Sequence, residues 1–322
     1  MRVLNINKND AGQRLDKFLS KAVPSLPTSL MYKLVRTKKI KVNRKRTEHT
    51  YFLCEGDTVE LFIKEEFFDT PSENASLKLT PRIDILYEDE NIMLVDKRAG
   101  MIVHSDDKES TNTLISHICA YLYQKGEYDP EKENSFTPSL CNRIDRNTGG
   151  IVIAAKNASS LRIMNEKIKN REMKKKYLAA VHGIFDKKEG ELTGYLVKDQ
   201  KTNTVKVYKE RPVFGDAKNI ITRYRVIAEK KGLSLLEVDL VTGRTHQIRA
   251  HMASVGHPLL GDGKYGVNRD DKKLGYKFQA LYSYSLEFCF KGDSGELSYL
   301  NERKFEISED KIWFCREFDE TL

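Results

Sequence analysis

An aspartate flanked by two arginines lies near the middle of the chain, just before two glycines and an apolar run. Residues 142–150 carry the sequence Asn-Arg-Ile-Asp-Arg-Asn-Thr-Gly-Gly. An ionised carboxylate at the edge of a buried strand can act as a nucleophile, and the neighbouring arginines would hold Asp145 ionised. The glycines permit a sharp turn or a close approach to a ligand. An aspartate in such a turn is also often tied into a surface ion pair, so this segment alone leaves both roles open.

A second polar segment follows an alternating strand pattern that ends at Leu240. Residues 242–251 carry the sequence Thr-Gly-Arg-Thr-His-Gln-Ile-Arg-Ala-His, which predicts a glycine turn and then a helix capped by Thr245. We expect this arrangement to bring Arg244 and Arg249 to one end of the sheet. Guanidinium groups there suit a carboxylate or a phosphate.

Three histidines in and after this segment, His246, His251 and His257, raise the question of a metal ion. Their spacings of five and six residues do not match the i, i+4 pairing of a helical zinc site. We therefore predict no metal and assign these side chains to hydrogen-bonded support. The chain also contains no glycine-rich dinucleotide or P-loop segment, so we predict no cofactor.

A tyrosine follows a run of three lysines at residues 174–176. On a strand beside a nucleic-acid site, Tyr177 could stack on a base. Taken alone, the pattern favours a tyrosine of the core.

The elements that must position these residues are mainly strands joined by short turns. The apolar patterns predict a mixed, mainly antiparallel β-sheet with flanking helices, an α+β fold. The predicted strands are 83–87, 92–95, 151–155, 177–181 and 235–240, and the predicted helices are 112–123, 160–170 and 245–255.

Positive charge is concentrated in the first fifth of the chain. Residues 1–62 hold thirteen Lys or Arg and six Asp or Glu, which accounts for +7 of the net charge of +8. Residues 33–46 contain eight basic side chains and no acidic one. Such a patch attracts phosphates through counterion release, so we predict an RNA partner. A solvated charged surface is the alternative.

Two short helices, a basic strand and a final strand are predicted within residues 12–63, and a stretch rich in turn-forming residues follows. We predict an N-terminal domain over 1–63, a linker over 64–81 and a larger domain over 82–322. The small α/β domain resembles the ribosomal protein S4-like RNA-binding domain. The resemblance implies an RNA-facing basic patch formed by Lys33, Arg36, Lys38, Lys39, Lys41 and Arg44.

The five cysteines are scattered and form no close pair, which favours a reducing cytoplasm over a disulfide framework. No apolar run has the length of a membrane span, and the first residues are too polar for a secretory signal. We expect a cytoplasmic protein without a membrane partner, and a monomer.

Taken together, the three polar segments resemble the RluA/RluC/RluD family of pseudouridine synthases, over residues 83 to about 290. The family's His-Arg-Leu-Asp-x-x-Thr-Ser-Gly segment corresponds to 142–150, its Lys-x-Tyr segment to 175–177, and its Gly-Arg-Thr-His-Gln-Ile-Arg-x-His segment to 243–251 without a change. Residues 95–104 match its Asn-Lys-Pro-Ala-Gly run, and 256–266 match the expected continuation. Three positions depart from the pattern: Asn142 replaces His, Gly149 replaces Ser and Arg98 replaces Pro.

The resemblance implies an isomerase that detaches uracil at N1, turns the ring and rejoins it through C5. It implies that Asp145 is the nucleophile or the electrostatic partner of the sugar and that Arg249 pairs with Asp145. It also implies that Tyr177 stacks on the uracil and that the Tyr177 hydroxyl could help move a sugar proton. Further residues implied to contact RNA are Arg143 as a wedge, Arg244, and Ile248 together with Ile144 as apolar walls.

The resemblance favours large-subunit (23S) ribosomal RNA as the substrate. Transfer RNA is the alternative within the family, and a non-catalytic S4-type RNA-binding protein is the alternative outside it. A glycosidase would require a second placed carboxylate, which these segments do not supply.

Overall fold

A three-stranded antiparallel sheet with two helices on one side forms the first part of the computed structural model. We call this part the N-terminal unit. Its strands are ordered β1–β3–β2. Its elements are β1 (Arg2–Asn5), α1 (Leu15–Ala22), α2 (Thr28–Arg36), β2 (Ile40–Val42) and β3 (Thr58–Leu61). The structure describes residues 1–68, 76–104, 111–266 and 269–319.

The helices of the N-terminal unit form because apolar residues recur at helical spacing. Leu15, Phe18 and Leu19 are fully buried on one face of α1, as the sequence pattern predicts. Pro27 occupies the cap position of α2, and Thr28 is its first helical residue.

The remaining described residues, which we call the sheet unit, are dominated by one large sheet. Its strands are β4 (Asp84–Glu88), β5 (Ile92–Lys97), β6 (Ser139–Leu140), β7 (Gly149–Ala155), β8 (Met173–His182), β9 (Glu189–Asp199), β10 (Thr204–Tyr208), β11 (Lys218–Lys230), β12 (Leu233–Leu240), β13 (Leu281–Phe288) and β14 (Lys304–Glu306). Its helices are α3 (Leu114–Gln124), α4 (Ala158–Lys169), α5 (Gln247–Ser254) and α6 (Arg269–Lys273).

The strand order β10–β9–β11–β12–β8–β13–β7–β5–β4 is antiparallel throughout except between β13 and β7. This confirms the predicted mainly antiparallel sheet. β7 changes neighbours along its length, because it pairs with β13 at Gly149 and Gly150 but with β6 at Ala154 and Ala155. Two separate apolar clusters, one containing Leu178 and the other Tyr177, draw on alternate residues of β8 and so lie on opposite faces of the sheet.

The stretch predicted as a linker divides between the two units. Phe67 and Phe68 pack on the core of the N-terminal unit, whereas the 3₁₀ turn Ser76–Lys78 packs near α3. The middle of the predicted linker, residues 69–75, lies outside the described residues.

Hydrogen bonds join the two units. The carboxylate of Asp10 accepts from Asn134 Nδ2 and from Ser135 Oγ, both at 2.6 Å. Arg162 on α4 donates to the Ala11 carbonyl at 3.2 Å. Asp10 is fully buried, so these bonds replace the water it has lost.

Candidate active site

Asp145 lies in the loop between β6 and β7, at the point where β7 enters the sheet. A turn closes behind it, because Thr148 N donates to the Asp145 carbonyl at 3.0 Å. The loop is attached to the turn after β5 by two bonds between Gly100 and Arg146, one in each direction. Arg146 therefore holds the loop and forms no ion pair with Asp145.

A buried lysine holds the same loop through hydrogen bonds to backbone carbonyls. Lys97 is fully buried, and its Nζ donates to the carbonyls of Arg98, Met101 and Arg146 at 2.9–3.0 Å. Burial lowers the pKa of Lys97 to about 7, while the nearby charge of Asp145 favours the ammonium form. Three carbonyl acceptors suit an ammonium group with three N–H donors.

Arg249, in the first turns of α5, is the cation that contacts Asp145. Its Nη1 lies 2.7 Å from Asp145 Oδ2, and its Nε and Nη2 donate to Asp262 at 2.8 and 2.9 Å. The Arg249 side chain is almost completely buried, and its two carboxylate partners keep its pKa above the usual value despite that burial. The guanidinium thus has one fixed side and one side that presents a donor to Asp145.

His246 and Tyr265 complete the surroundings of this pair. The His246 ring lies with Nε2 at 3.7 Å from Asp145 Oδ2, and its Nδ1 is 2.8 Å from Tyr265 Oη. Burial lowers the pKa of His246. The Tyr265 ring faces the Arg249 guanidinium, with 5.2 Å between its centroid and the central carbon.

The start of α5 differs from the prediction. The helix begins at Gln247, and the cap position is held by His246 rather than by Thr245. His246 has a φ of 53°, a left-handed conformation that is rare for residues with a side chain. Such strain is typical of functional sites, and here it directs the imidazole towards Asp145.

Tyr177 lies on β8 beside the same carboxylate. Its side chain is 7% exposed and belongs to an apolar cluster with Ile144 and Ile248. A hydrogen bond from Ser283 reaches its hydroxyl, while burial and the charge of Asp145 raise the pKa of Tyr177 to about 12. The hydroxyl is therefore protonated at neutral pH.

These residues open onto a large groove of about 1740 Å³. Thirteen Lys or Arg side chains and only two Asp side chains line it, so its potential is strongly positive. The basic lining residues come from segments far apart in sequence: Arg143, Arg146, Lys169, Arg171, Lys174, Lys175, Lys198, Arg223, Arg244, Arg249, Lys264, Lys272 and Lys277. We call this surface the central groove.

The sequence-predicted residues occupy different places around the central groove. Asp145, Tyr177, Arg249, Arg143 and Arg244 all line it. Ile248 does not, because it is 3% exposed and packs in the core behind the groove wall. It can shape the site only through the residues it supports, whereas Ile144 reaches the wall itself.

The basic patch of the N-terminal unit lies apart from this lining. Five of its six side chains are exposed and Lys41 is half-buried. A single weak ion pair, 3.9 Å between Arg44 and Glu60, involves the patch within the described part of the chain. The exposed aromatic residues Tyr32, Phe52 and Phe62 belong to the same unit.

Two residues of the site, Asp262 and Tyr265, were not selected from the sequence. Both follow α5 in the segment 256–266, where the chain returns towards the Asp145 loop. The sequence did offer a clue, because residues 256–266 match the family pattern that follows the Gly-Arg-Thr-His-Gln-Ile-Arg-x-His segment. The spacing of residues alone does not show that Asp262 or Tyr265 contacts Arg249.

Each of the three residues that differ from the family pattern contacts a neighbouring residue of this chain. Asn142 Oδ1 accepts from Ile153 N at 2.7 Å, so this amide supports β7. Arg98 forms two hydrogen bonds with Asp84, at 2.8 and 3.2 Å. Gly149 faces the ring of Tyr282, and a Cβ there would lie 2.4 Å from a ring carbon.

The histidines considered for a metal have separate partners. His251 Nδ1 lies 3.0 Å from Thr222 Oγ1, and burial lowers the pKa of His251 to about 4. His257 stacks on Phe185 with 3.9 Å between ring centroids. In the described part of the chain no three His, Cys, Asp or Glu side chains are grouped so as to hold a metal ion. Among the same residues, no helix combines the length and apolar character of a membrane span.

Comparison with known proteins identifies a family for this chain. The RNA pseudouridylate synthase family matches residues 91–254. An uncharacterised RNA pseudouridine synthase of Mycoplasma genitalium is 36% identical over 304 residues, which cover 89% of this chain and 90% of the relative. The ribosomal large subunit pseudouridine synthase C of Buchnera aphidicola subsp. Baizongia pistaciae is 31% identical, with 88% of each chain covered. The protein of the same description from Escherichia coli K12 is 29% identical, with 92% and 91% covered.

Solved structures show the same fold at lower identity. Human RNA pseudouridylate synthase domain containing 1 aligns with a TM-score of 0.53 and 19% identity, covering 74% of this chain and 98% of that one. Human RNA pseudouridylate synthase domain containing 4 aligns with a TM-score of 0.53 and 22% identity, covering 70% and 88%.

Proposed function

This chain belongs to the RNA pseudouridylate synthase family, and we propose that it converts particular uridines of large-subunit ribosomal RNA to pseudouridine. The family membership makes it an isomerase that acts on uridines in RNA. The observation that carries the proposal is the ion pair of Asp145 and Arg249 at the wall of a strongly basic groove.

Asp145 is the group we assign to the chemistry. The reaction breaks the N1–C1′ bond of uridine, turns the uracil and forms the C5–C1′ bond, while a proton leaves C5 and N1 gains one. An ionised carboxylate serves this reaction either by bonding to C1′ or by accepting a proton from C2′. Arg249 orients the carboxylate, because one of its N–H groups points at Asp145 while the others are fixed by Asp262.

Tyr177 and Arg143 act on the base and its vacated place in the RNA. Taking a nucleotide out of a stack costs a few kcal/mol, so a stacking surface and a wedge are needed. Tyr177 supplies the stacking surface. Because its hydroxyl stays protonated at neutral pH, it is a poor base, and we leave acceptance of a sugar proton to Asp145. Arg143 lines the groove next to Asp145 and is the wedge, with Arg244 contacting the RNA backbone.

The N-terminal unit is the part we propose to select the substrate. Its two helices, its basic β2 region and its exposed aromatic residues suit an S4-like RNA-binding domain over residues 1–63, joined by the stretch 64–81 to a catalytic domain over 82–322. The basic patch would bind phosphates of structured RNA through Lys33, Arg36, Lys38, Lys39, Lys41 and Arg44.

Ribosomal RNA of the large subunit is favoured because relatives over about nine-tenths of the chain carry that description. Transfer RNA remains the alternative substrate. We expect the protein to act as a monomer in the cytoplasm, and its cysteines are free in the described residues, which suits a reducing compartment.

The test is pseudouridine mapping of total RNA from cells that lack this protein. We expect specific large-subunit sites to disappear, to return with the wild-type protein and to stay absent with Asp145→Asn. Loss of transfer RNA sites alone would overturn the ribosomal assignment. Purified Asp145→Asn protein should still bind RNA, and normal turnover by that variant would remove Asp145 from the chemistry.

A further inference from the structure

Three consecutive lysines of β8 have different surroundings. Lys174 Nζ lies 3.1 Å from Glu287 on β13, and Lys176 Nζ lies 3.1 Å from Glu237 on β12. Lys175, between them, has no carboxylate and no hydrogen-bond acceptor among the residues that the structure describes. The neighbouring strands therefore provide a carboxylate for Lys174 and for Lys176 but not for Lys175.

The Lys175 side chain is half-buried in the wall of the central groove, two residues before Tyr177. It lies near the point where the pairing partner of β7 changes from β13 to β6. The ionisable group that influences it is the thiol of Cys141. Burial raises the pKa of Cys141 to about 12, so this neighbour is an uncharged thiol.

Several other basic side chains line the same groove as Lys175. Arg143 comes from the Asp145 loop, and Lys169 and Arg171 come from the end of α4 and the turn that follows it. Burial without an anion lowers the pKa of Lys175 to about 8. Holding cations together without a counter-charge is unfavourable, and a polyanion removes that penalty.

We propose that Lys175 binds a backbone phosphate of the RNA strand beside the target uridine and that it takes up a proton when the RNA binds. The proposal rests on the proposed function, because it places the target base on Tyr177. Residues two apart on a strand are about 7 Å apart, which is comparable to the reach from a base to a phosphate of its own nucleotide. A lysine suits this task because a phosphate accepts readily from an ammonium.

A pH dependence of RNA affinity follows from the same contact. The phosphate stabilises the ammonium form, so the pKa of Lys175 rises when RNA binds. Affinity is then constant where Lys175 is already protonated and falls as pH rises through the pKa of the free protein. Between pH 7 and pH 9 we expect the Kd of the wild type to rise about tenfold.

The experiment measures Kd for a fluorescein-labelled single-stranded oligoribonucleotide with one uridine, from pH 7 to pH 9.5. Lys175→Met should raise Kd about tenfold at pH 7 and remove the pH dependence. Lys175→Arg should keep the affinity and give a flat profile, because arginine does not titrate in this range. Both variants keep Lys97. If their profiles are flat, the pH dependence of the wild type does not come from titration of Lys97.

Two controls locate the contact. Lys176→Met removes the same charge from a paired lysine that does not line the groove, and it should change Kd by less than threefold. Replacing single phosphates of the oligonucleotide by uncharged methylphosphonates should abolish the difference between wild type and Lys175→Met at one position next to the uridine. Equal effects of Lys176→Met and Lys175→Met, or a pH profile unchanged by Lys175→Arg, would overturn the proposal. These binding measurements are independent of turnover, so they remain decisive even if no pseudouridine is formed.

Discussion

The guanidinium of Arg249 donates two parallel hydrogen bonds to the carboxylate of Asp262, at 2.8 and 2.9 Å. Asp262 is itself fixed, because its Oδ1 accepts from the backbone N–H groups of Lys264 and Tyr265. The group that orients Asp145 is therefore held from behind by a buried carboxylate. Only a planar, forked side chain can serve both carboxylates at once.

Arg249→Lys should keep the charge but lose this bridge. We expect kcat to fall on the order of 100-fold with a smaller change in KM, and the free energy of unfolding to fall by about 2 kcal/mol as buried Asp262 loses a bond. Single-turnover kinetics and thermal unfolding would measure the two effects. Arg244→Lys is the matched control, since Arg244 is exposed, and a similar kcat loss there would argue against a specific role of the Arg249 bridge.

Neutralising part of the basic patch should weaken RNA binding without affecting the chemistry. For Lys38→Gln combined with Lys39→Gln and Arg44→Gln, the slope of log Kobs against log salt should decrease in magnitude by about two to three. Filter binding at several salt concentrations would give the slope. A control triple variant uses exposed basic residues outside the patch and the central groove: Lys132, Lys231 and Arg316. An unchanged slope in the patch variant would remove the patch from the RNA path.

Gly149→Ser restores the family residue and should nevertheless destabilise this chain. The added Cβ would lie 2.4 Å from the Tyr282 ring, whose hydroxyl is held by Asp96 at 2.6 Å. We expect a loss of about 1–3 kcal/mol in the free energy of unfolding. In a Tyr282→Val background the same change should cost less than half as much, and denaturant titration of the four proteins would give the coupling energy. Additive losses would mean that the ring is not what excludes serine.

Protonation of His251 should contribute to acid sensitivity. The pKa of the folded state is lowered to about 4, below that of an unfolded histidine, so the unfolded state binds more protons between about pH 4 and pH 6.5. Stability is therefore highest above pH 6.5 and falls as pH drops towards 4. His251→Gln should be less stable at pH 7 but should lose less melting temperature between pH 6.5 and 4.5. A parallel decrease in both proteins would exclude His251 as a source.

Several strands were predicted from the sequence and others were missed. The mostly buried β13 was missed because Ser283 and Ser285 occupy buried positions in it, which weakens its apolar pattern. β7 and β8 carry long buried runs and were found, whereas β9 was not. Most side chains of β9 are exposed or half-exposed, because it lies near the edge of the sheet, so burial imposes little alternation on its residues.

The site was less accessible to sequence reasoning than the fold. Local composition placed nearly all the excess charge in the first fifth of the chain, yet the central groove is strongly basic. Lys169, Lys198 and Lys277 meet there from distant segments, while the acidic residues near them in sequence point elsewhere. Likewise, nothing local states that Asp262 is the second partner of Arg249, since that contact depends on how the chain returns after α5.

The position of β13 determines when the site can form during folding. β13 is the strand that joins β8 to β7, so in the described sheet the strands within residues 84–155 are linked by hydrogen bonds to those within 173–240 through Leu281–Phe288. Pairings of such long sequence separation form slowly. Asp145 and Tyr177 lie on opposite sides of this seam, so the catalytic pair is assembled only after most of the chain has left the ribosome. A nascent chain stopped before Leu281 would lack Phe288, Phe314 and Phe318, which cover one apolar face of the sheet, and would be prone to aggregate.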